Sequence, residues 1–367
     1  MSLEDQPLSP AALLPSVPPI VTADLAGTGG TIGPDPDDFV VDEVPLYAAS
    51  GSGEHLYVRF RKRSSTTRDA LRAIAEAANV PVSEIGTAGM KDKHAVTTQW
   101  LSLPARRARP VESWTLPPFV SVVEVSRHGN KLRTGHLKGN HFRIRIVGVV
   151  PDAVARADRI VEFIAERGLP NHFGAQRFGH GGRNLGEAIA WLEEEAGGRG
   201  RRRLPAFERK LFASVVQSEV FNRYTTARLS EGLERPLPGE VVRLSGSGAT
   251  FRVEDVEREL PRWSTRDILP TGPMIGPKMR AAEGRALELE EQAVLDTGLV
   301  EAPRLALGRY ADGTRRDVLV WPEGLTVSPD PAESGSALIL AFFLPSGSYA
   351  TEVVRAFTRE PFFRYTA

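Results

Sequence analysis

Apolar and polar residues alternate along some stretches of the chain and recur with helical spacing along others. Leu56, Val58 and Phe60 alternate with polar neighbours, which predicts a half-buried strand. The apolar residues after Thr66 and Thr67 follow helical spacing and predict a helix, capped by one of these threonines, that ends near Pro81. The same patterns predict further strands at residues 122–125, 142–146, 317–321 and 337–343, and further helices at residues 153–167, 185–196, 206–229, 278–295 and 349–357.

Strands dominate both ends of this pattern and helices dominate its middle, which predicts an α+β fold interrupted by an insertion. We expect a flexible arm at residues 1–34 and order from about Asp38. Residues 35–169 and 308–367 then form one domain, and residues 170–307 form the inserted domain. Three local details are predicted as well: a loop over residues 86–100, a turn at Gly139-Asn140, and a helix capped by Asn184.

The composition excludes some classes of site. The 367 residues include 46 basic and 46 acidic side chains, so a nucleic-acid surface must come from local segregation of charge. The chain has no cysteine, which excludes disulfides, zinc–thiolate sites and thiol nucleophiles. We find no apolar stretch that would span a bilayer, and the acidic, proline-interrupted start lacks the features of a signal peptide. We therefore expect a cytoplasmic protein without membrane association.

Asp92 is the first candidate for chemistry, within the segment GTAGMKDKHAVTTQW. The neighbouring Lys91 and Lys93 would favour the ionised carboxylate, which suits a nucleophile or a base. A surface Lys-Asp-Lys turn with weak ion pairs would have the same local sequence. The residues around Asp92 therefore make it a candidate catalytic carboxylate, and a surface turn without a catalytic role stays open as the alternative.

Asn140 and Phe142 lie where the predicted turn meets a strand. Asn140 could orient the catalytic carboxylate by a hydrogen bond, and Phe142 could stack on a base turned out of an RNA helix. The alternative is a turn asparagine followed by a core phenylalanine.

The segment NHFGAQRFGHGGRN, residues 171–184, is rich in glycine, aromatic residues and polar amides. Phe173, Gln176 and Arg177 carry groups that suit an unpaired RNA segment. The glycines match neither a P-loop nor a dinucleotide fingerprint. A glycine-rich connection with two buried phenylalanines would show the same composition.

Basic runs could contact phosphates, although each alone is more often a solvated face. They occupy residues 61–63, 106–109, 127–138 and 199–203. The histidines are scattered and lack the spacing of metal ligands, so we predict no metal site.

Several of these segments together resemble one family. AGMKDKHAVTTQW closely resembles the signature of the TruD family of pseudouridine synthases. Other blocks resemble the family in the same order, namely PDDFVVDEVPLY with SGSGEHLYVRFRKRSSTT, then LKGNHFRIRI, PNHFGAQRFGHGGRN and LPSGSYATEVVRAF. They extend from about residue 35 to 357, with a divergent stretch between about residues 197 and 303.

The resemblance implies a pseudouridine synthase catalytic domain, with a mixed antiparallel sheet and helices, interrupted by the family's insertion domain. It implies that Asp92 is the catalytic carboxylate. Family members usually carry a lysine shortly before the Pro-Glu-Asp-Phe segment, where this chain has Gly33. The activating charge must then come from elsewhere, such as Lys91 or Lys93, or be missing. With the candidates above, the expected substrate-binding residues are Phe39, Lys91, Lys93, Asn140, Phe142, Phe173, Gln176 and Arg177.

The implied reaction breaks the N1–C1′ bond of uridine in tRNA, rotates the uracil and joins C5 to C1′. Bacterial-type members act at uridine 13. No redox change occurs, so we expect no cofactor, and we expect a monomer without an obligate protein partner. Asp92 could attack C1′, take the C2′ proton or add to C6, and the sequence does not choose among these routes.

Two other functions stay open at this point. A carboxylate-dependent glycosidase or nucleoside hydrolase would need a second acid at a suitable distance, and no supported pair is evident. A non-catalytic RNA-binding protein or RNA chaperone would keep the fold, and the absence of a lysine at Gly33 leaves this alternative open.

Overall fold

Two main sheets, a short pairing of two further strands and eight α-helices build the fold in the computed structural model, which describes residues 13–198, 204–333 and 335–365. The strands are β1 (Gly29–Ile32), β2 (Phe39–Pro45), β3 (His55–Arg63), β4 (Gly86–Thr87), β5 (Val96–Pro104), β6 (Val120–His128), β7 (Leu137–Val149), β8 (Leu169–Pro170), β9 (Val241–Leu244), β10 (Thr250–Arg252), β11 (Ile268–Met274), β12 (Thr314–Asp317), β13 (Leu319–Val320), β14 (Glu323–Pro329) and β15 (Ala337–Pro345). The helices are α1 (Thr67–Ala78), α2 (Ala153–Arg167), α3 (Arg183–Ala196), α4 (Ala206–Ser230), α5 (Val256–Ser264), α6 (Gly284–Asp296), α7 (Glu301–Leu307) and α8 (Ala350–Thr358).

The larger sheet has the strand order β14-β15-β7-β2-β5-β3-β6, with β1 paired to β7 and β4 paired to β5. The pairing of β2 with β5 is parallel, with Val40 opposite Val96, and its other pairings are antiparallel. This mixed sheet with helices confirms the predicted α+β class.

Three helices cover one face of the larger sheet. Alternating residues of β7, such as Ile144 and Ile146, pack with α2 and α8 in one core cluster. Val58 and Phe60 of β3 pack with Ile74 of α1 in a second cluster. Thr66 caps α1 by accepting a hydrogen bond from the backbone N–H of Asp69 at 3.1 Å, as the sequence predicts.

The middle of the chain forms a second unit. Helices α3, α4, α6 and α7 enclose a core cluster that includes Phe178, Val216 and Phe221. A four-stranded sheet, in the order β10-β9-β11-β12, lies beside it. Its last strand, β12, ends at Asp317 and so lies after residue 308, where we expect the first domain to resume.

The start of the chain is ordered earlier than we expected. Strand β1 pairs with β7, with Thr31 opposite Val147. Further upstream, Arg355 donates to the backbone oxygen of Pro18 at 2.6 Å, and the Thr22 hydroxyl donates to the oxygen of Ala356 at 2.9 Å. Helix α8 therefore holds much of the segment that lacks any periodic pattern of its own.

Four local expectations are corrected. Residues 96–100 belong to β5 and not to a loop, and Gly139-Asn140 lies inside β7 because both edges of that strand are paired. Asn184 lies within α3, whose cap is Gly182, and α6 begins only at Gly284. Strands β9, β10 and β11 of the second unit were not predicted, and β12 overlaps the predicted strand at residues 317–321 only at Asp317. Residues 199–203 lie outside the described residues, and no described helix has the length and apolar character of a membrane span.

Candidate active site

A helix and a strand fix the loop that carries Asp92 between β4 and β5. The backbone N–H of Lys91 donates to the Thr67 hydroxyl at 3.0 Å, and this hydroxyl donates to Gln99 Oε1 at 3.1 Å. Gln99 Nε2 in turn donates to the Gly89 oxygen at 3.4 Å. Thr67 and Gln99 are both fully buried, so α1 and β5 set the position of the loop.

Lys62 lies directly beneath this loop. The period-two alternation that buries Val58 and Phe60 of β3 also turns Lys62 to the inner face, where it is 0% exposed. Its ammonium donates to the backbone oxygen of Asp92 at 2.5 Å. Within the described chain no carboxylate forms an ion pair with Lys62. Burial lowers its pKa to about 8, although the charge of Asp92 acts in the opposite direction.

Lys91 is engaged in a buried ion pair. Its ammonium lies 2.8 Å from Glu43 Oε2, and the two side chains are 6% and 1% exposed. Glu43 Oε1 also accepts a hydrogen bond from the backbone N–H of Trp100 at 3.1 Å. Lys91 is therefore neutralised and is not free to bind a substrate phosphate, contrary to our expectation.

Asp92 retains exposed surface, although protein atoms crowd its carboxylate. The resulting loss of hydration raises the pKa of Asp92, and the charges of Lys62 and Lys91 oppose that rise. Met90 and Lys93 are exposed on the same loop. Asp92 thus combines an exposed residue position with a crowded carboxylate on which the charges of Lys62 and Lys91 act.

The predicted aromatic pair occupies the sheet next to this loop. Phe142 is 8% exposed and stacks on Phe342 at 5.4 Å between ring centroids. Phe39 is only half-buried and meets Phe142 edge to face at 6.2 Å. Phe142 thus belongs mainly to the core, and Phe39 is the more accessible ring.

Asn140 lies opposite Glu43 of β2 and Leu344 of β15. Its side-chain oxygen is buried and accepts no hydrogen bond from any described residue. The side-chain amide nitrogen of Asn140 is the group that could donate to the Asp92 carboxylate, and no such hydrogen bond joins the two residues within the described part of the chain.

Tyr349, at the start of α8, connects Asp92 to the segment around Phe173. Burial raises the pKa of its hydroxyl, and the charge of Asp92 raises this pKa further. The charges of Arg177 and Arg316 lower it. Phe173 is only 7% exposed, and it packs edge to face on Tyr349 at 5.7 Å.

Two arginines lie against the Phe173 ring. The guanidinium of Arg316 is 4.1 Å from the ring centroid, and that of Arg177 is 5.7 Å away. Among the residues that the structure describes, neither arginine forms an ion pair with a carboxylate. Gln176 is exposed on the same segment. Phe173 is therefore a support for cations and not an open stacking platform.

Comparisons with known proteins agree with this architecture. The sequence model of the family described as tRNA pseudouridine synthase D (TruD) matches residues 19–195 and 193–357. The chain belongs to the TruD family. A tRNA pseudouridine synthase D of Anaeromyxobacter sp. (strain Fw109-5) is 44% identical over 92% of this chain and 95% of that relative. The enzyme of the same name from a strain of Thermus thermophilus is 39% identical over 92% and 91%.

The crystal structure of a TruD protein from Methanosarcina mazei has a similar fold. Its TM-score to this chain is 0.72, and the match covers 93% of this chain and 96% of that one. The sequence identity is 24%, so this likeness establishes the fold alone.

Gly33 differs from the lysine expected in a TruD protein, and the structure shows what a side chain there would meet. A Cβ atom at Gly33 would lie 2.1 Å from Asp38 Oδ2. Asp38 is itself held by Arg145 at 3.4 Å and by the backbone N–H of Asp35 at 2.9 Å. This chain therefore has no room for a lysine at Gly33 without displacing Asp38.

Sequence reasoning missed four residues around Asp92. Lys62 was placed only in a basic run, although its alternation with Val58 and Phe60 predicted that it faces inward. The others are Glu43, which pairs with Lys91, Tyr349, whose hydroxyl interacts electrostatically with Asp92, and Arg316, which acts on Tyr349 and does not contact the loop. Strand pairing and chain return bring them together from distant positions in the sequence.

The basic runs differ in whether their side chains are engaged in ion pairs and hydrogen bonds or are exposed. Arg63 pairs with Asp37, and Arg107 pairs with Glu84. Lys131 donates to a backbone oxygen at 3.3 Å, whereas Arg133 is exposed. Residues 127–138 therefore remain the best placed of these runs for phosphate contacts.

Proposed function

We propose that this protein converts uridine 13 of tRNA into pseudouridine, with Asp92 as the catalytic carboxylate. Membership of the TruD family supports both the reaction and the tRNA substrate. One observation carries the choice of Asp92. Asp92 is exposed as a residue, and the loop that bears it is held from beneath by a buried lysine that forms no ion pair with a carboxylate among the described residues.

The chemistry requires a carboxylate and no oxidant. The N1–C1′ bond breaks, the uracil rotates, and C5 joins C1′. N1 gains a proton and C5 loses one, so the product is an isomer of the substrate. An ionised Asp92 can begin by attacking C1′, by taking the C2′ proton or by adding to C6. All three routes depend on the charged form of Asp92 and therefore on the cations around it.

The surroundings of the carboxylate also suit a polyanion. Arg177 and Arg316 lie beyond Tyr349, and Lys93 is exposed beside Asp92. We propose that these cations bind phosphates that flank the target nucleotide, which must leave the stack at a cost of a few kcal/mol. Phe39, supported by Phe142, then contacts the uracil, while Asn140 and Gln176 offer polar contacts to the turned-out nucleotide.

We infer four further properties from the same reasoning. The protein acts in the cytoplasm, where its tRNA substrate is found, and it acts as a monomer. It needs no cofactor because the reaction has no redox change. Residues 35–169 and the segment after β13 form the catalytic unit, and the residues between them form the insertion.

The test uses unmodified tRNA that carries tritium at C5 of uridine, because isomerisation releases that tritium to water. Asp92→Asn should fold and bind tRNA but release no tritium. Asp312→Asn, at an exposed ion pair of the second unit, is the matched control and should turn over normally. Near-normal turnover by Asp92→Asn would overturn the assignment of Asp92.

Substrate variants test the position. A transcript in which cytidine replaces uridine 13 should release no tritium, and a normal signal from it would overturn that position. Tritium release and mass measurement together separate the alternative functions. Isomerisation releases tritium at unchanged RNA mass, hydrolysis lowers the RNA mass by loss of uracil, and a binding protein causes neither change.

A further inference from the structure

The charged groups around Asp92 leave one cation without an assigned purpose. Lys91 is neutralised by Glu43 at 2.8 Å. Lys93 is exposed to water. Lys62 forms no ion pair with a carboxylate among the described residues and is 0% exposed, and its ammonium donates to the backbone oxygen of Asp92 at 2.5 Å.

A fold rarely buries a lysine without compensation, because desolvation disfavours the charge and no ion pair offsets it. The desolvation of this charge destabilises the folded state. A purely structural role for Lys62 would therefore require a contact that an apolar side chain could not make. The neighbours of Lys62 on β3, Val58 and Phe60, fill the core with apolar side chains at equivalent inward positions. Lys62, which lies next to Asp92, is the charged exception among these inward-facing residues of β3.

We propose that Lys62 is a positioning residue that holds the Asp92 loop from beneath and favours the charged form of the Asp92 carboxylate. It supplies from β3 the positive charge that the chain lacks at Gly33. The proposal rests on the catalytic role of Asp92. Burial acts on both groups, lowering the pKa of Lys62 to about 8 and raising that of Asp92, while each charge favours the charged form of the other.

Other charged and titratable groups lie on the elements packed around Lys62 and Asp92. Lys91 comes from the same loop and is paired with Glu43. Tyr349 comes from the start of α8, and Arg177 and Arg316 lie beyond it. None of these cations lies beneath the loop in contact with the Asp92 backbone. Removal of Lys62 should therefore raise the pKa of Asp92, and the rate should fall most at acidic and neutral pH.

Three substitutions in the full-length chain separate charge from shape. Lys62→Met keeps the length of the side chain without charge or donor. Lys62→Gln keeps a donor for the Asp92 oxygen without charge, and Lys62→Arg keeps the charge. Arg72→Met removes an exposed charge from α1 and serves as the control. The readout is the single-turnover rate of tritium release at saturating tRNA, measured from about pH 5 to 9.

We expect Lys62→Met and Lys62→Gln to lose more than about tenfold in rate at neutral pH. Part of this loss should be recovered at higher pH, because the acid limb of the pH profile moves upward. Lys62→Arg should retain more activity than either neutral variant. Lys62→Met should melt no lower than the wild type, since it removes a buried charge. A merely structural residue would show the opposite, a lower melting temperature and an unchanged pH profile.

Each outcome either supports or overturns the proposed role of Lys62. A wild-type pH profile and a rate within about twofold of wild type in Lys62→Met would overturn the proposal. If Lys62→Met does not fold, Lys62→Gln decides, and a normal pH profile in that variant would likewise overturn it. The role of Asp92 is judged separately by Asp92→Asn. An inactive Asp92→Asn beside a normal Lys62→Gln would leave the proposed function standing and remove only the role of Lys62.

Discussion

The buried pair between Glu43 and Lys91 offers a direct test of how the Asp92 loop is held. Glu43→Gln leaves the Lys91 ammonium buried, 6% exposed, without its counter-charge. Removing one partner of a buried pair costs about 3–5 kcal/mol. Glutamine keeps an oxygen that can accept the backbone N–H of Trp100, now bound to Glu43 at 3.1 Å, so we expect the lower end of that range. The melting temperature should then fall by roughly 4 °C, because the unfolding entropy of a 367-residue chain is large.

A second buried pair is the matched control. Arg228 and Glu240, in the second unit, are both 0% exposed and lie 2.8 Å apart. Glu240→Gln should destabilise the protein at least as much as Glu43→Gln, but it should not change the single-turnover rate of the folded fraction. Glu43→Gln should lower that rate by about tenfold to a hundredfold, because a small displacement of the loop misplaces Asp92.

The assay is thermal melting followed by tritium release at saturating tRNA, well below the melting temperature of each variant. Adding Lys91→Met to Glu43→Gln should recover much of the stability, since it removes the orphaned charge. The reasoning is refuted if Glu43→Gln loses stability but keeps a rate equal to that of Glu240→Gln. In that case the ion pair would support the sheet without positioning the loop.

Two further predictions concern substrate contacts. Because the net charge is zero, local basic residues must carry the affinity, so tRNA binding should weaken steeply with salt. Charge reversal at Lys131 and Arg133 should weaken filter binding more than it slows single-turnover chemistry, and binding insensitive to both changes would remove phosphate contact from this segment. Phe142→Leu should cost roughly 1 kcal/mol because its ring stacks on Phe342, whereas Phe39→Leu should slow the reaction at nearly unchanged stability. Normal turnover by Phe39→Leu would remove base stacking from this position.

Local periodicity was enough to predict the elements that bury a regular face. Helix α2 occupies residues 153–167 as predicted, with Gly168 following it at a φ of 73°. Strand β11 shows why others were missed. Its sequence, ILPTGPM, contains two prolines and no alternation, yet it pairs with β9 on one edge and β12 on the other. Partners from distant parts of the chain stabilise this strand, and local propensity does not describe them.

Local sequence predicted some residues of the candidate site and could not predict others. Asp92 and Arg177 stand in segments whose composition is unusual, so sequence alone singled them out. The engagement of Lys91 could not be predicted, because Glu43 reaches it only through the parallel pairing of β2 with β5. The nearness of Tyr349 to Asp92 depends on the return of the chain to the first unit after the insertion. Contacts set by long-range topology leave no local pattern.

Lys62 also ties the stability of the fold to the chemistry of the site. Its pKa is about 8 in the folded protein and 10.5 for a solvated lysine, so the unfolded chain binds more protons between those values. Stability should therefore rise as pH increases through this window, and the burden of the buried charge, roughly 3 kcal/mol, is fully present below about pH 8. At neutral pH the fold thus retains a charge that destabilises it. Local departures of this kind are expected at functional sites. Lys62→Met should abolish that contribution to the rise in stability with pH, and an unchanged pH dependence of unfolding would show that burial does not lower the pKa of Lys62.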